Sequence, residues 1–379
     1  MIQITQQRPK FSEILNYFLM LGTTGFGGPI ANIQYMRRDW LAKNWITDPD
    51  FQDAFAMIKL LPGPVGYQMV LYLANRHLNR KLALLCGIAY LLPSIFLVIS
   101  CFYLIEQLRE FAAIGKFVEG MAIGSLFLLL WSVWKLSGSL LRTPAFWFSV
   151  LVTAFLHLRL GWSEPMCIAI VFFVNWLHHK SKKNDLRSIT PLALATLGGL
   201  GLAVPLTDRL WTLAVLGFQS GIMTFGTGLA IIPILERHLV TDWHWLTSTQ
   251  FLEALSIGQI TPGPVLVITT YLGLQIAGLA GAFVFTVATF SASSLNVLTW
   301  FPIVLGRFSK SSLMKIFNLT VCSVVSYFIL ISLTTMGRSA SPIGLAAAMA
   351  LGFAWTFVPK LPIGLFLPTF GIVYLLFGF

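Results

Sequence analysis

The chain has 379 residues, of which 56% are hydrophobic and only 10% are charged. Soluble domains carry roughly 25% charged residues, so this composition excludes an ordinary water-soluble globular fold. The net charge of +11 lies in short loops between apolar stretches, which is typical of the orientation signal of membrane proteins and gives no indication of nucleic-acid binding. The apolar residues form continuous stretches rather than alternating segments, so we predict an all-α, polytopic protein of the cell membrane.

In chain order, the apolar stretches predict about 13 membrane spans. They lie at 11–33, 52–76, 82–105, 114–138, 145–160, 163–178, 189–206, 210–234, 251–275, 277–304, 313–336, 341–358 and 361–379. A span needs about 20 apolar residues, so the shorter stretches are expected to pack inside the bundle. The polar start of the chain is followed by no short apolar core with a cleavage site, and no removable signal peptide is expected.

The two halves of the sequence repeat one another. Gly22–Arg38 matches Gly221–Arg237 at six positions, and the Pro-Gly-Pro-Val motif at 62–65 recurs at 262–265. Widely spaced matches in the same order indicate an internal duplication. We therefore predict a first repeat at 1–183, a linker with an extra membrane span at 184–208, and a second repeat at 209–379.

Loop charge predicts that the two repeats are inverted. The loop at 76–81 carries three basic residues, whereas its counterpart at 276–281 carries no charge. The next pair of loops reverses this pattern. Acidic and basic residues nearly cancel across 106–116, whereas the charged residues across 307–315 are all basic. Cytoplasmic loops collect Lys and Arg, so the N-terminus and the linker at 178–187 are expected inside and the C-terminus outside.

Each half contains two segments that cannot continue a regular helix. Proline removes a backbone donor and glycine adds freedom, so one helix should end near Leu61 and the next should begin with Pro64 in its first turn. Paired breaks in inverted repeats indicate a transporter's central site, although a packing kink or a short re-entrant turn is the alternative. The candidate substrate-binding residues at the breaks are Gly27, Gly28, Pro62, Gly63, Pro64, Gly226, Pro262, Gly263 and Pro264.

Charged residues near the breaks suggest an anionic substrate. Helix N-termini favour anions, and Lys59 lies in an apolar stretch five residues before Pro64, where its counterpart is Gln259. Arg37 and Arg38 follow the first break by about two turns. We predict that these four residues bind substrate. The alternatives are a lysine whose ammonium reaches the membrane interface and arginines that set topology.

Asp53 and Glu253 occupy matching positions near the start of the helix that leads to Pro-Gly-Pro. They are candidates for proton or ion coupling. The alternative for Asp53 is a capping box with Asp50, three residues earlier.

The sequence carries no sign of enzyme chemistry. The HExxH, GxSxG and GxxxxGK[ST] motifs are absent, so metalloprotease, serine-nucleophile and P-loop chemistry lack their usual signatures. The four cysteines and six histidines show no metal-ligand spacing, and we expect no catalytic residues, metal or cofactor.

The motifs at the breaks resemble those of the chromate ion transporter family in its long, two-repeat form. The resemblance covers essentially the whole chain and rests on FGGP at Phe26–Pro29, Trp45 followed by Phe51, LPGP at Leu61–Pro64 and TPGP at Thr261–Pro264. It implies export of chromate driven by the proton gradient, through two homologous halves of opposite topology. The second half departs from the pattern with FGTG in place of FGGP, so equal roles for both halves are not implied.

Together these features predict a secondary transporter of a dianionic oxyanion, with chromate efflux as the first choice. A transporter of sulfate or another anion and an anion channel are the alternatives, because chromate and sulfate are both tetrahedral dianions. The expected partners are the oxyanion and membrane lipids, and a homodimer is left open.

Overall fold

The computed structural model describes residues 9–59, 61, 63–180, 208–224, 228, 231–300, 312–358 and 363–378, and within these ranges it is helical without β-strands. The helices of the first half are α1 (Phe11–Thr24), α2 (Gly28–Ala42), α3 (Asp48–Ile58), α4 (Val65–His77), α5 (Arg80–Leu108), α6 (Ala112–Ser137), α7 (Pro144–Leu160) and α8 (Glu164–Lys180). Those of the second half are α9 (Arg209–Met223), α10 (Ile231–Glu236), α11 (Ser248–Ile260), α12 (Ile268–Leu295), α13 (Ser312–Gly337), α14 (Pro342–Thr356) and α15 (Phe366–Phe377). Two π-helical segments, Arg237–Asp242 and Asn296–Trp300, follow α10 and α12.

The first half begins with two helical hairpins. In the α1–α2 hairpin, the Tyr17 hydroxyl donates to the Asp39 carboxylate over 3.2 Å, which places α1 beside the last turn of α2. In the α3–α4 hairpin, the Arg76 guanidinium at the end of α4 lies 2.6 Å from the Asp50 carboxylate at the start of α3. Each hairpin therefore turns at its break and returns to the end where it began.

Helix α12 is also a hairpin, made of two helices that meet at a turn. Ala277 has φ −146° and Gly278 has φ 61°, neither of which is helical. The Thr270 and Thr286 hydroxyls are 2.7 Å apart, whereas sixteen residues of straight helix would separate them by about 24 Å. The turn lies inside the loop predicted at 276–281, and it divides α12 into α12a (268–276) and α12b (279–295).

The second half repeats the two hairpins of the first. The Arg209 guanidinium at the start of α9 lies 3.5 Å from the Ile276 carbonyl and stacks over the Trp245 ring, beyond the end of α10. The Gln275 amide at the end of α12a donates to the Gln250 carbonyl at the start of α11 over 3.4 Å. The second pair of hairpins is thus α9–α10 and α11–α12a.

These hairpins correct part of the predicted span count. The stretches at 11–33, 52–76, 210–234 and 251–275 were expected to cross the membrane once each, and each contains a hairpin instead. The reason is length, because α3 and α4 have 11 and 13 residues and about 20 are needed to cross. The predicted span at 189–206 lies outside the described residues.

Several helices can cross a membrane by length and composition. In the described ranges four stretches qualify, namely Arg80–Leu108, Ala112–Ser137, Val265–Thr299 and Lys315–Gly337. The third includes the turn at Gly278, so α12b and the following π-helix form its crossing part. The shorter apolar helices are α7, α8, α14 and α15.

Helix α5 shows how the hairpins are arranged, since its 29 residues extend about 43 Å. The α3–α4 hairpin lies at its first end, where Arg76 precedes α5 by four residues. The α11–α12a hairpin lies at its last end, where Arg109 contacts Glu253. Equivalent hairpins of the two halves therefore contact opposite ends of one helix.

The last helices are exchanged between the halves. Helix α6 packs on α14 and α15 of the second half, whereas α13 packs on α7 and α8 of the first, and α6 and α13 contact each other. Hydrogen bonds join the exchanged helices, from the Tyr374 hydroxyl to Glu119 over 3.0 Å and from the Asn175 amide to the Thr320 hydroxyl over 3.1 Å. The core of the molecule is thus built from both halves.

Candidate functional site

The hairpin tips of the two halves meet at the centre of the molecule. The Gly63 N–H donates to the Thr224 carbonyl over 2.5 Å, and the Gly263 N–H donates to the Gly25 carbonyl over 3.2 Å. Each Pro-Gly-Pro tip is therefore bonded to the first tip of the other half. We call residues 25–28, 63–64, 224 and 261–264 the tip cluster.

Both central glycines of the Pro-Gly-Pro motifs have conformations and surroundings that demand glycine. Gly63 has φ +134°, and a Cβ there would lie 2.2 Å from Gln68 Nε2 and 2.8 Å from Ser293 Oγ. Gly263 has φ +98°, and its Cβ would lie 2.3 Å from Ser94 Oγ. Positive φ strains any residue with a side chain, so a larger residue at either position would displace the tip.

Two equivalent serines support the tips across the repeat boundary. Ser94 on α5 donates its hydroxyl to the Pro262 carbonyl of the second half over 2.6 Å. Its counterpart, Ser293 on α12b, faces Gly63 of the first half, and its buried hydroxyl has no hydrogen-bond partner among the described residues. Ser293 therefore offers a polar group to a ligand at the first Pro-Gly-Pro tip.

The polar side chains beside the tips come mainly from the first half. Asn32 is fully buried and its amide donates to the Tyr90 hydroxyl over 2.9 Å, while Gln68 is fully buried beside Gly63. The repeat places Ile231 and Ile268 at the positions of Asn32 and Gln68. Our prediction missed Asn32, Gln68, Ser94 and Ser293. The sequence feature that could have identified them is a polar residue within an apolar stretch. For Asn32 and Gln68, the matching residue in the second half is apolar.

Helix N-termini converge on the tip cluster. Helix α2 begins after Gly27, which has φ +102°, α4 begins after Pro64, and a 3₁₀ turn leading into α12a begins after Pro264. Pro64 is thus the N-cap residue of α4 rather than part of its first turn, and α3 ends at Ile58, three residues before the expected Leu61. N-terminal N–H groups carry partial positive charge and favour an anion.

Space remains around the first tip. A Cβ on Gly28 would meet no atom within 4 Å, although Gly28 has φ +78°. Gly27 and Phe26 are exposed. The first tip therefore faces an opening, unlike the closely surrounded Gly63. Pro62 and Gly226 lie outside the described residues.

Lys59 and Gln259 both lie at the ends of the helices that lead into the Pro-Gly-Pro tips. Lys59 is the C-cap of α3, is exposed, and lies within electrostatic range of Cys322 on α13. Gln259 is half-buried in the last turn of α11. Its Nε2 is buried without a hydrogen-bond acceptor in the part of the chain that the structure describes. Within the described ranges, the lysine near the tips is therefore on the first half.

Arg37 and Arg38 are not brought to the tip cluster. They lie nine and ten residues into α2, about 14 Å from its start, and both are exposed. Arg37 forms two hydrogen bonds with the Asp48 carboxylate, at 2.8 and 3.0 Å, and these bonds hold the pKa of Asp48 below its ordinary value. Arg38 pairs with Asp39 at 2.7 Å, so carboxylates within the chain neutralise both arginines.

Asp53 and Glu253 have different surroundings despite their matching positions. The capping interpretation of Asp53 is wrong, because Thr47 is the N-cap of α3 and Asp53 is exposed one turn later. Glu253 is buried, receives hydrogen bonds from Arg109 at 3.1 and 3.2 Å, and is hydrogen-bonded to the Tyr271 hydroxyl. Glu253 thus ties the α11–α12a hairpin to the end of α5.

No group of His, Cys, Asp and Glu in the described residues could hold a metal ion. The four cysteines are free. What the arrangement provides is a set of helix N-termini, buried hydroxyl and amide groups and one lysine, which suits the binding of an anion within a membrane.

An all-helical chain with broken helices that meet between two repeated halves has the architecture of a multi-pass membrane transport protein. The chain belongs to the chromate transporter family, whose model matches residues 12–176 and 211–378. The resemblance predicted from the motifs is therefore confirmed, and members of this family are transport proteins rather than enzymes.

Named relatives agree with this assignment. The chain is 34% identical over 288 residues to a chromate transport protein of Cupriavidus metallidurans, covering 73% of this chain and 71% of the relative. It is 30% identical over 379 residues to a probable chromate transport protein of Synechococcus elongatus, covering 93% of each chain. An uncharacterized transporter of Methanocaldococcus jannaschii is 25% identical over 313 residues. No solved structure matches the chain significantly.

Proposed function

We propose that this protein is a secondary transporter that carries chromate, a dianionic oxyanion, through the tip cluster. The observation that carries the proposal is the reciprocal bonding of the tips, Gly63 to Thr224 and Gly263 to Gly25. This bonding gathers the helix N-termini of both halves at one place. The names of the relatives supply the substrate.

The proposed binding site divides its work between backbone and side chains. The backbone around Gly27, Gly28 and Gly63 approaches the oxyanion closely, and Gln68 and Ser293 donate hydrogen bonds to its oxygens. Neutral donors compensate poorly for the lost hydration of a dianion, so Lys59 supplies a full positive charge. Gln259 provides a neutral donor on the second half.

The proposed topology is inverted, with a first repeat at 1–183, a linker with its own span at 184–208 and a second repeat at 209–379. The contacts of equivalent hairpins with opposite ends of α5 support this arrangement. With four hairpins that enter and return, the crossing elements are α5 to α8, the linker span, α12b and α13 to α15. This count of nine is odd, so the N-terminus stays inside and the C-terminus outside.

The proposed direction is efflux, coupled to the proton gradient. Two alternatives use the same site. A sulfate transporter would bind a dianion of the same shape, and an anion channel would dissipate a gradient rather than build one. Accumulation against a gradient separates a transporter from a channel, and competition between oxyanions ranks the substrates.

The test is uptake of radiolabelled chromate into proteoliposomes that contain the purified protein, with and without an imposed pH gradient. We expect accumulation above the equilibrium level only with the gradient, and weaker inhibition by sulfate than by unlabelled chromate. Protein-free liposomes are the control. Absence of chromate movement in both conditions would refute the proposal, and purely downhill movement would favour the channel.

A further inference from the structure

A second group of buried charges lies away from the tip cluster. Glu164 at the start of α8 and Glu236 at the end of α10 are 7% and 4% exposed. They belong to different halves of the chain, yet they lie within electrostatic range of each other. Both helices pack on α13, so the group sits between the α9–α10 hairpin and the helices of the first half.

The two carboxylates differ in their hydrogen bonding. Glu236 accepts from the Thr241 hydroxyl over 3.0 Å and from the Ser332 hydroxyl over 3.3 Å. Glu164 has one buried oxygen, Oε1, for which the described residues provide no hydrogen-bond donor. Glu164 thus has a free acceptor inside the protein.

Among the described residues, one guanidinium lies near this group, and it is shared. Arg237 lies within electrostatic range of Glu164, but its nearest ion pair is with Asp242 at 3.6 Å. Its Nη1 is buried with no acceptor in the described ranges. Glu164 and Asp242 therefore share one guanidinium, whereas Glu236 lies within electrostatic range of the Asp242 carboxylate. An unpaired carboxylate away from water is costly, whereas a bound proton removes the charge.

Other titratable groups line the surroundings. Cys167 on α8 is in electrostatic range of Glu164 and Arg237, and Tyr327 on α13 lies near Cys167. His157 on α7 packs against Tyr327, and His238 contacts Asp242 at 3.3 Å. None of these adds a permanent positive charge, so Arg237 remains the cation within electrostatic range of Glu164.

The backbone beside the group is unusual. The six residues Arg237–Asp242 form a π-helix directly after Glu236, and π-helical turns are frequent at functional sites. The segment ends the α9–α10 hairpin, whose tip side ends at Thr224 and contacts Gly63. A shift of this hairpin would move Glu236 relative to Glu164 while changing a contact in the tip cluster.

We infer that Glu164 and Glu236 form the proton-binding site that couples the proton gradient to movement of the oxyanion. This inference rests on the proposed transport function and deepens it. A proton that binds at Glu164 Oε1 neutralises one carboxylate when the α9–α10 hairpin holds Glu236 within electrostatic range of Glu164. When the Glu164–Glu236 pair is exposed to the opposite face of the membrane, the proton is released. The position of the α9–α10 hairpin therefore depends on the proton concentration at each face.

The coupling role of Asp53 and Glu253 stays a prediction, and the structure provides less for it. Asp53 is exposed, and both oxygens of Glu253 accept hydrogen bonds from Arg109. A carboxylate already paired with a guanidinium has less need of a proton.

The experiment separates substrate movement from proton drive. Full-length protein in proteoliposomes is assayed for chromate–chromate exchange at equal pH and for accumulation driven by a pH gradient. We expect Glu164→Gln and Glu236→Gln to keep exchange within about twofold of wild type and to lose accumulation by at least tenfold. Glu110→Gln, at an exposed carboxylate, is the matched control and should retain accumulation, and Glu253→Gln tests the competing candidate for the coupling site.

Each outcome bears on one claim. Failure of wild-type protein in both assays refutes the proposed function itself. The proton site is overturned if wild-type protein exchanges chromate but its accumulation does not depend on the pH gradient. It is also overturned if both glutamine variants accumulate chromate normally. Loss of coupling in Glu253→Gln alone overturns it as well.

A milder variant covers the case in which the glutamine variants fail to fold. Ser332→Ala removes a donor that stabilises the charged Glu236 carboxylate. We expect it to move the pH midpoint of gradient-driven transport to higher pH by about half a unit. An unchanged midpoint in a variant with normal exchange would overturn the inference.

Discussion

The two halves share one backbone plan but bury their polar residues at opposite places. At the tips, the first half buries Asn32 and Gln68, where the second half has isoleucines. At the outer ends of the hairpins the order reverses. Arg37 is exposed, whereas its counterpart Glu236 is 4% exposed. The helix breaks are present in both halves, whereas the side chains around them differ.

The comparison teaches that a repeated motif does not imply a repeated function. The first half has the polar groups and the lysine beside the tip cluster, so it is suited to hold the substrate. The second half has Glu253 buried in contact with Arg109 of the first, and Glu236 buried within electrostatic range of Glu164, so it is suited to respond to charge and to fix the relative position of the halves.

The largest expected effect concerns the inverted topology of the two halves, for which a labelling experiment gives a yes-or-no answer. Cysteines placed at Asn79 and Gly278, in a background that lacks the native cysteines, should react with a membrane-impermeant reagent from opposite faces. Both positions lie at turns between equivalent helices. Reaction from one face for both would remove the basis for comparing the halves as inverted copies.

The largest expected effect on transport is at Gly63. Gly63→Val forces a side chain into a position with φ +134°, close to Gln68 and Ser293, and we expect transport to fall below detection while membrane insertion persists. The control is Gly161→Ala, which also has positive φ, +67°, but open space around it. Normal transport by Gly63→Val would reduce the Pro-Gly-Pro motif to a packing kink.

The next largest effect is expected at Lys59 and tests which residue compensates the negative charge of the substrate. Lys59→Gln should raise the KM for chromate at least tenfold, which corresponds to about 1.4 kcal/mol, because it removes the full positive charge next to the first Pro-Gly-Pro tip. Gln259→Ala should have a smaller effect, since only a neutral donor is lost. A lysine that merely reaches the interface would leave KM unchanged and alter expression instead.

The smallest effect concerns stability rather than transport. Arg109→Gln leaves Glu253 buried without its cation. We expect a loss of about 2 kcal/mol, below the range for fully buried pairs because Arg109 is 47% exposed. Arg37→Gln breaks a pair whose partners are both exposed and should change the melting temperature in detergent much less. Equal losses would contradict the asymmetry between the halves.

The sequence predicts the breaks well because their cause is local. A Pro-Gly-Pro run interrupts a helix through its own backbone, whereas the single Pro93 lies inside α5, and the breaks lie within a few residues of their predicted positions. Crossing was chosen over re-entry at the Pro-Gly-Pro segments, and the sequence could not decide between the two because apolar content shows only that a segment enters the membrane. Whether it returns depends on contacts such as Arg76 with Asp50, which are 26 residues apart.

The site was predicted only in part, because the sequence shows local motifs but not contacts between distant residues. Gly63 and Gly263 follow from the motif, but the partners of the tips come from the opposite half. Ser94 meets Pro262 across 168 residues, a pairing that loop charge and periodicity do not contain. Arg37 and Arg38 were close to the break in sequence, but a straight α2 carries them away from it.

The exchange of helices between the halves has a consequence for biosynthesis. Glu119 on α6 is joined to Tyr374 on α15, 255 residues later in the chain. At about 5–20 residues per second, the ribosome needs roughly 10–50 seconds to supply that partner after α6 has been made. During this interval the surface of α6 that will contact α15 is exposed in the bilayer, and lipid or a chaperone must cover it. Loss of the last helix should therefore leave α6 of the first half without this partner.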